Sequence, residues 1–269
     1  MLHAFVLAAA ATAVQPIVST EWLAAHLKDP NVRIVDASNR SSYDRLHIDG
    51  AVFLDHMDTV GSEHRPLPAD AMAKVWAKIG VGDDTHVVLY GDTPMATGWQ
   101  YMMLASIGHG DQVSMLDGGI KLWEMEKRPT STTSPTVAAA KLTPLATPDT
   151  IVSAAWVRER LDSPKIKLLD VRTTREWDAG RLPNATFILW QDLYADRETL
   201  KFKSPQDIKA LIEKTGWKPD QEVVTYCMVG MRASVVYFVS RYLGYDARLY
   251  DGSIVDWTQK KLPVKTGRQ

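Results

Sequence analysis

The chain of 269 residues has a single cysteine, Cys227. One thiol cannot close an internal disulfide or build a cysteine-rich zinc site, so it is a filler, a lone metal ligand or a reactive group. An excess of either charge is also missing. Lys and Arg total 31 against 32 Asp and Glu, a net charge of −1. A duplex-DNA binder needs a basic surplus to release counterions, so no nucleic-acid partner is expected. No apolar run reaches the ~20 residues of a membrane-spanning helix, so no membrane partner is expected either. The nearest, residues 2–13, resembles the apolar part of a secretory signal. Ala11-Thr12-Ala13 matches a cleavage site, although no Lys or Arg precedes the run. Residues 1–14 are therefore read as an export signal, which implies a periplasmic or secreted protein and otherwise a cytoplasmic one. Histidine is missing from the second half, since all seven lie between His3 and His109. Nucleotide-binding glycine loops, zinc spacings and EF-hand patterns do not occur, so neither cofactor nor metal is expected.

What is present is a long-period repeat. Ile17-Val18-Ser19 with Trp22 returns as Ile151-Val152-Ser153 with Trp156, 134 residues later. Arg33-Ile34-Val35-Asp36 returns as Lys167-Leu168-Leu169-Asp170, and Asp117-Gly118 as Asp251-Gly252, at the same offset. Matches that stay in order at one long offset indicate domain duplication rather than a solenoid. Pro129, Pro135, Pro144 and Pro148 lie between the copies among Ser, Thr and Ala, a composition that reads as an extended linker. The expected organisation is domain one at 15–128, linker at 129–148 and domain two at 149–269.

Each copy alternates helix and strand. Ser153 caps a predicted helix to Leu161, followed by a short apolar strand at Ile166–Val171. A helix at Pro205–Thr215 precedes a strand at Glu222–Tyr226. A helix at Ala233–Leu243 stops at Gly244, and Arg248–Tyr250 reads as a third strand. The alternation implies an α/β fold, a mostly parallel sheet with helices on both faces in each domain. Sites in such sheets lie at the carboxyl ends of strands.

Cys227 stands at such an end. The loop Cys227-Met228-Val229-Gly230-Met231-Arg232 joins a strand to a helix. A lone cysteine is ordinarily a buried filler. Here Gly230 permits a tight turn, Arg232 brings positive charge, and the helix N-terminus supplies backbone N–H groups. Such a cradle binds an anion and favours thiolate over thiol. The thiol is thus expected to be ionised and open to small donors, with no histidine encoded near it in sequence.

These residues resemble the tandem-domain rhodanese family, which includes thiosulfate and 3-mercaptopyruvate sulfurtransferases. Cys227-x-x-Gly230-x-Arg232 is similar to that family's six-residue active loop. Asp170-Val171-Arg172 with Glu176-Trp177, Gly180 to Ala185, and Tyr250 to Ser253 with Trp257 resemble its other motifs. The resemblance spans about residues 16–265 and implies two rhodanese-like domains, of which the second is catalytic. Gly91 falls opposite Cys227, so the first copy looks like the non-catalytic half and is expected to wall the site.

The implied reaction moves sulfane sulfur from thiosulfate to a thiophilic acceptor, cyanide or a thiol, through a Cys227 persulfide. The N–H groups of Met228 to Arg232 are expected to hold that persulfide. The resemblance assigns the substrate anion to Arg172, with an Asp170–Arg172 or Arg172–Glu176 ion pair as the structural alternative. Arg232 is expected to contribute charge, or else to be a solvated or ion-paired helix residue. Met228, Val229 and Met231 are read as an apolar rim that limits acceptor size, and Asp251 as a turn residue. The loop lacks the serine of mercaptopyruvate enzymes, which favours thiosulfate over 3-mercaptopyruvate. A phosphatase of this fold carries five residues between Cys and Arg, and this loop has four. A sulfur-relay module fed by, or feeding, a sulfur-acceptor protein is the non-enzymatic alternative.

Overall fold

The structure is a computed structural model that describes residues 14–62, 65–147 and 150–267. The apolar run read as a signal lies outside these residues. In the first half the order is β1 (Ile17–Val18), α1 (Thr20–Ala25), β2 (Val32–Asp36), α2 (Arg40–Arg45), β3 (His47–Ile48), β4 (Val52–Phe53), α3 (Ala69–Lys78), β5 (His86–Tyr90), α4 (Pro94–Ser106), β6 (Val113–Leu116), α5 (Gly119–Met125) and β7 (Thr130–Ser131). The second half has α6 (Ala154–Arg160), β8 (Ile166–Asp170), α7 (Thr174–Ala179), β9 (Thr186–Phe187), α8 (Pro205–Glu213), β10 (Glu222–Tyr226), α9 (Met231–Tyr242), β11 (Ala247–Leu249) and α10 (Ser253–Gln259).

The first sheet is ordered β1-β6-β5-β2-β4 and the second β11-β10-β8-β9, with every ladder in both parallel. Ile151 bridges Leu249 in parallel, in the place that β1 holds beside β6. The two halves therefore share one topology. The central strands β5 and β10 are nearly continuous apolar runs because both of their faces are covered. Predicted helices begin where capping side chains stand: Ser153 accepts from the Trp156 N–H and Ser204 from the Asp207 N–H.

The segment read as an extended linker is hydrogen-bonded along the first half. β7 pairs antiparallel with β3, the Ala140 N–H donates to the Ala77 carbonyl, and the Leu145 N–H to the Ile107 carbonyl. Each half has an apolar cluster of its own, and a third, larger cluster is shared between them. Trp99, Met102 and Met103 of α4 and Val235, Val236 and Val239 of α9 lie in one apolar cluster that also takes in both sheets. The helices meet closely at Gly98, where a Cβ would come within 2.9 Å of Ser234 Oγ and of the Val235 nitrogen. An apolar interface of this kind holds the halves as one body.

The duplication extends to how the halves clasp each other. In the first, Val60 bridges Pro66 and closes a short loop that carries Arg65; in the second, Tyr194 bridges Phe202. Each loop reaches across to an aspartate of the opposite half. Arg65 Nη1 donates to Asp251 Oδ1 at 3.0 Å, and the Phe202 N–H donates to Asp117 Oδ1 at 2.9 Å. Asp117 and Asp251 are themselves repeat equivalents, so the clasp is reciprocal.

Candidate active site

The site forms at the carboxyl end of β10. The Cys227 N–H donates to Ser253 Oγ at 3.0 Å, and Ser253 Oγ donates in turn to the Tyr250 carbonyl at 2.8 Å. The Cys227 and Met228 carbonyls accept from the N–H groups of Ile254 and Val255 on α10. Tying these carbonyls outward leaves the loop N–H groups on the other side. Gly230 then turns the chain with φ +87°, and a Cβ there would meet the Asp251 carbonyl at 3.1 Å. Glycine is required for both reasons. Gly230 also caps α9 without a side chain, so nothing competes for the first-turn donors. Among the described residues, the N–H groups of Met228, Val229, Gly230, Met231, Arg232 and Ala233 have no hydrogen-bond partner. Together with the dipole of α9 they form an anion cradle.

Arg232 adds a full charge. Its guanidinium interacts electrostatically with Cys227 and forks onto Glu176, with Nη1 to Oε2 at 2.8 Å and Nη2 to Oε1 at 2.7 Å. Glu176 is fixed by a capping box, accepting from the Thr173 N–H at 3.0 Å and from Thr173 Oγ1 at 2.6 Å. The hydrogen bond from Arg232, and after it those from Thr173, pull the Glu176 carboxyl down to about 2 against the opposing effect of burial. A carboxyl depressed on folding stabilises the folded state above its unfolded value of ~4.3 and loses that contribution as pH falls toward the folded value. Acid unfolding followed by circular dichroism should therefore show stability lost between about pH 4.5 and 2, and Glu176→Gln should flatten that part of the profile.

Arg172, assigned above to the substrate anion, lies buried beneath the loop. Its side chain is 4% exposed, and Asp170 beside it is wholly buried. Nε and Nη2 fork onto the Asp170 carboxylate at 2.9 and 2.6 Å, and Nη2 also reaches the Gly180 carbonyl at 2.6 Å. Tyr226 Oη donates to the same carboxylate at 2.7 Å and accepts from the Leu182 N–H. Only Nη1 faces the loop, 3.9 Å from Met228 Sδ. The ion-pair alternative with Asp170 is what the fold contains, because the carboxylate at the strand end has no water to satisfy it. The expectation of an open thiol is likewise corrected. Cys227 is 1% exposed and belongs to the main core, since the loop, drawn in by α10 and Arg232, folds over it.

Val229 and Met231 face a cavity of 510 Å³ between the halves, which the first half lines with Met57, Val60, Arg65 and Trp99. Val229 is the most exposed member of the predicted rim. Asp251, read from sequence as a turn residue, accepts from the Gly252 N–H as well as from Arg65. Three participants had no site role in the sequence reading. Glu176 stood there in a family motif and as a partner for Arg172, but its partner Arg232 is 56 residues away. Ser253, at φ +53°, appeared only within a motif, and Arg65, from the opposite half, carried no local signal.

The equivalent place in the first half lacks each ingredient. Gly91 and Asp92 follow β5, so a carboxylate stands where the thiol loop begins. Pro94 opens α4 without an N–H, Thr93 Oγ1 caps the Ala96 N–H, and Ser38 Oγ takes the Asp92 N–H. The space is correspondingly small, 80 Å³, and is lined by Leu200 and Phe202 of the second half.

The duplicated parallel α/β fold sets the one thiol at a strand-to-helix loop whose N–H groups have no partner among the described residues. The profile of the rhodanese-like domain matches residues 19–126 and again 153–260, and the chain belongs to the rhodanese-like family. It is 30% identical over 272 residues to the sulfur carrier protein TtuD of Thermus thermophilus, an alignment covering 90% of this chain and 93% of that one. A Mycobacterium leprae protein, provisionally named a thiosulfate sulfurtransferase, is 31% identical, with 90% and 93% covered. Among solved structures, the 3-mercaptopyruvate sulfurtransferase SseA of Escherichia coli superposes with a TM-score of 0.76 at 25% identity, over 89% of this chain and 99% of that one. The crystal structure of YnjE superposes with a TM-score of 0.84 at 23% identity, over 94% and 69%.

Proposed function

We propose that the protein is a sulfurtransferase that takes sulfane sulfur from thiosulfate and carries it as a persulfide on Cys227. The thiolate attacks the outer sulfur, the sulfur–sulfur bond of the donor breaks, and sulfite leaves with the bonding pair. A thiophile, cyanide or a thiol, then attacks the outer sulfur of the persulfide, and Cys227 departs as thiolate. Two half-reactions of this kind give ping-pong kinetics. The N–H groups from Met228 to Ala233, without a partner among the described residues, carry the reading, because they are free donors in the loop that begins at the thiol, whose charge must be held in both half-reactions. In this scheme Arg232 stabilises the thiolate, while Arg172 supports the loop from beneath and contributes its charge at a distance. The likeness to enzymes named for thiosulfate, and the absence of a hydroxyl among Met228 to Met231, favour thiosulfate over 3-mercaptopyruvate.

Exposure of the protein to thiosulfate should raise the mass of the Cys227 peptide by about 32 Da, and cyanide should remove the increase. An unchanged mass would sink the reading. Identity to a protein named as a sulfur carrier favours a second use of the same persulfide, delivery to an acceptor protein. Export through the apolar run at residues 2–13 completes the proposal. Fractionation of cells expressing the full chain should find the mature protein outside the cytoplasm.

A further inference from the structure

The site described above leaves one anionic partner unassigned. A small sulfur donor has a sulfur to present to Cys227 and an oxyanion end that must be held. Arg172 is spent on Asp170 and the Gly180 carbonyl, and Arg232 forks onto Glu176. Among the described residues that line the cavity on which Val229 and Met231 open, Arg65 is the only lysine or arginine. It comes from the first half, and its side chain is 44% exposed. The loop that carries it is closed by the Val60–Pro66 bridge and by the Gly61 N–H donating to the Arg65 carbonyl at 2.7 Å.

The reciprocal clasp shows what this position requires structurally. Asp117, the equivalent of Asp251, is satisfied by an uncharged donor, the Phe202 N–H. One donor therefore suffices to join the halves at an aspartate. At the other clasp a guanidinium stands instead. It gives Asp251 one hydrogen bond and lies 3.6 Å from Asp256, which leaves donors for a further acceptor. The two carboxylates do not cancel its usefulness. Asp251 is 4% exposed, faces the Gly252 N–H as well, and is covered on its far side. Asp256 is engaged by Lys260 and by the Tyr250 hydroxyl.

We propose that Arg65 docks the oxyanion end of the sulfur donor, so that the half without a nucleophile supplies the donor-recognition residue of the half that has one. The shared ligand chemistry is a compact oxyanion joined to a transferable sulfur, either the sulfonate of thiosulfate or the carboxylate of a mercapto acid. This rests on the Cys227 persulfide reading. The mass experiment on the unaltered protein tests that reading separately.

The test compares Arg65→Gln and Arg65→Lys with the unaltered chain, using thiosulfate and 3-mercaptopyruvate as donors in steady-state assays. Glutamine keeps a donor for Asp251 and removes the charge; lysine keeps the charge. Arg65→Gln is expected to raise the donor KM about tenfold with kcat little changed, as for loss of one charged hydrogen bond. Arg65→Lys should recover most of it. The donor whose KM moves is the one whose oxyanion Arg65 holds. Raising ionic strength should also raise that KM in the unaltered protein and much less in Arg65→Gln, a response that a purely structural link would not give. If Arg65→Gln, with its melting temperature preserved, keeps the original KM for both donors, the proposal is overturned. If it melts early, the Arg65→Lys KM and the salt response of the unaltered protein decide alone.

Discussion

Cys227→Ser is expected to abolish sulfur transfer, with turnover lowered by at least about a thousandfold, while the fold persists. A serine hydroxyl stays protonated near neutral pH, and a negatively charged cradle partner cannot form without a thiolate. The substitution nearly preserves volume at a site that is almost completely buried. The Cys227 N–H keeps Ser253 Oγ because that bond uses the main chain. A melting temperature within a few degrees of the original is therefore expected, since ~1 kcal/mol shifts a chain of this size by about 2–4 °C. Persulfide formation, followed by mass and by cyanide-dependent thiocyanate release, is the decisive measurement. Transfer retained by a correctly folded Cys227→Ser protein would remove the thiol from the mechanism.

Arg172→Ala is expected to act chiefly on stability. The substitution leaves the Asp170 carboxylate, which is fully buried, with the Tyr226 hydroxyl and the Arg172 main-chain N–H as its remaining donors. Removing one partner of a buried ion pair costs about 3–5 kcal/mol because the other charge is stranded, which corresponds to a melting temperature lower by roughly 10 °C. Arg172→Lys keeps the charge but not the fork onto Asp170 and Gly180, so it should fall between. Pairing Arg172→Ala with Asp170→Asn should recover part of the loss, because the stranded charge is gone. Thermal unfolding of the three variants separates these outcomes. An unshifted Arg172→Ala would mean that Asp170 does not depend on the guanidinium. The donor KM measured well below the melting range then reports any direct role in anion binding. The equivalent of Arg172 in the first half is Ser38, so the Asp36–Tyr90 pairing there manages without a cation. A guanidinium thus stands beside the thiol loop and not at the equivalent place in the first half.

The first half is more than a relic of duplication. It contributes Trp99 to the wall next to Gly230, Arg65 to the shared cavity and α4 to the common core. Its own cradle is closed chemically by Asp92, Thr93 and Pro94 and sterically by Leu200 and Phe202. The asymmetry between the two spaces, 510 Å³ against 80 Å³, follows from those few residues and not from any difference in topology.

Matches at one offset of 134 residues determined the duplication, while the α/β class and the strand-to-helix setting of Cys227 followed from apolar spacing, caps and turns within about a dozen residues. The strand Glu222–Tyr226 and the glycine turn at Gly230 stand where local pattern put them. Which charges meet was decided only in three dimensions. Glu176 and Arg232, Arg65 and Asp251, and the Cys227 N–H and Ser253 come from separate elements, and nothing in the spacing of one names the other. Burial decided the fate of Arg172 in the same way. At the end of a covered strand its nearest carboxylate has no water to turn to, so the guanidinium serves Asp170 first.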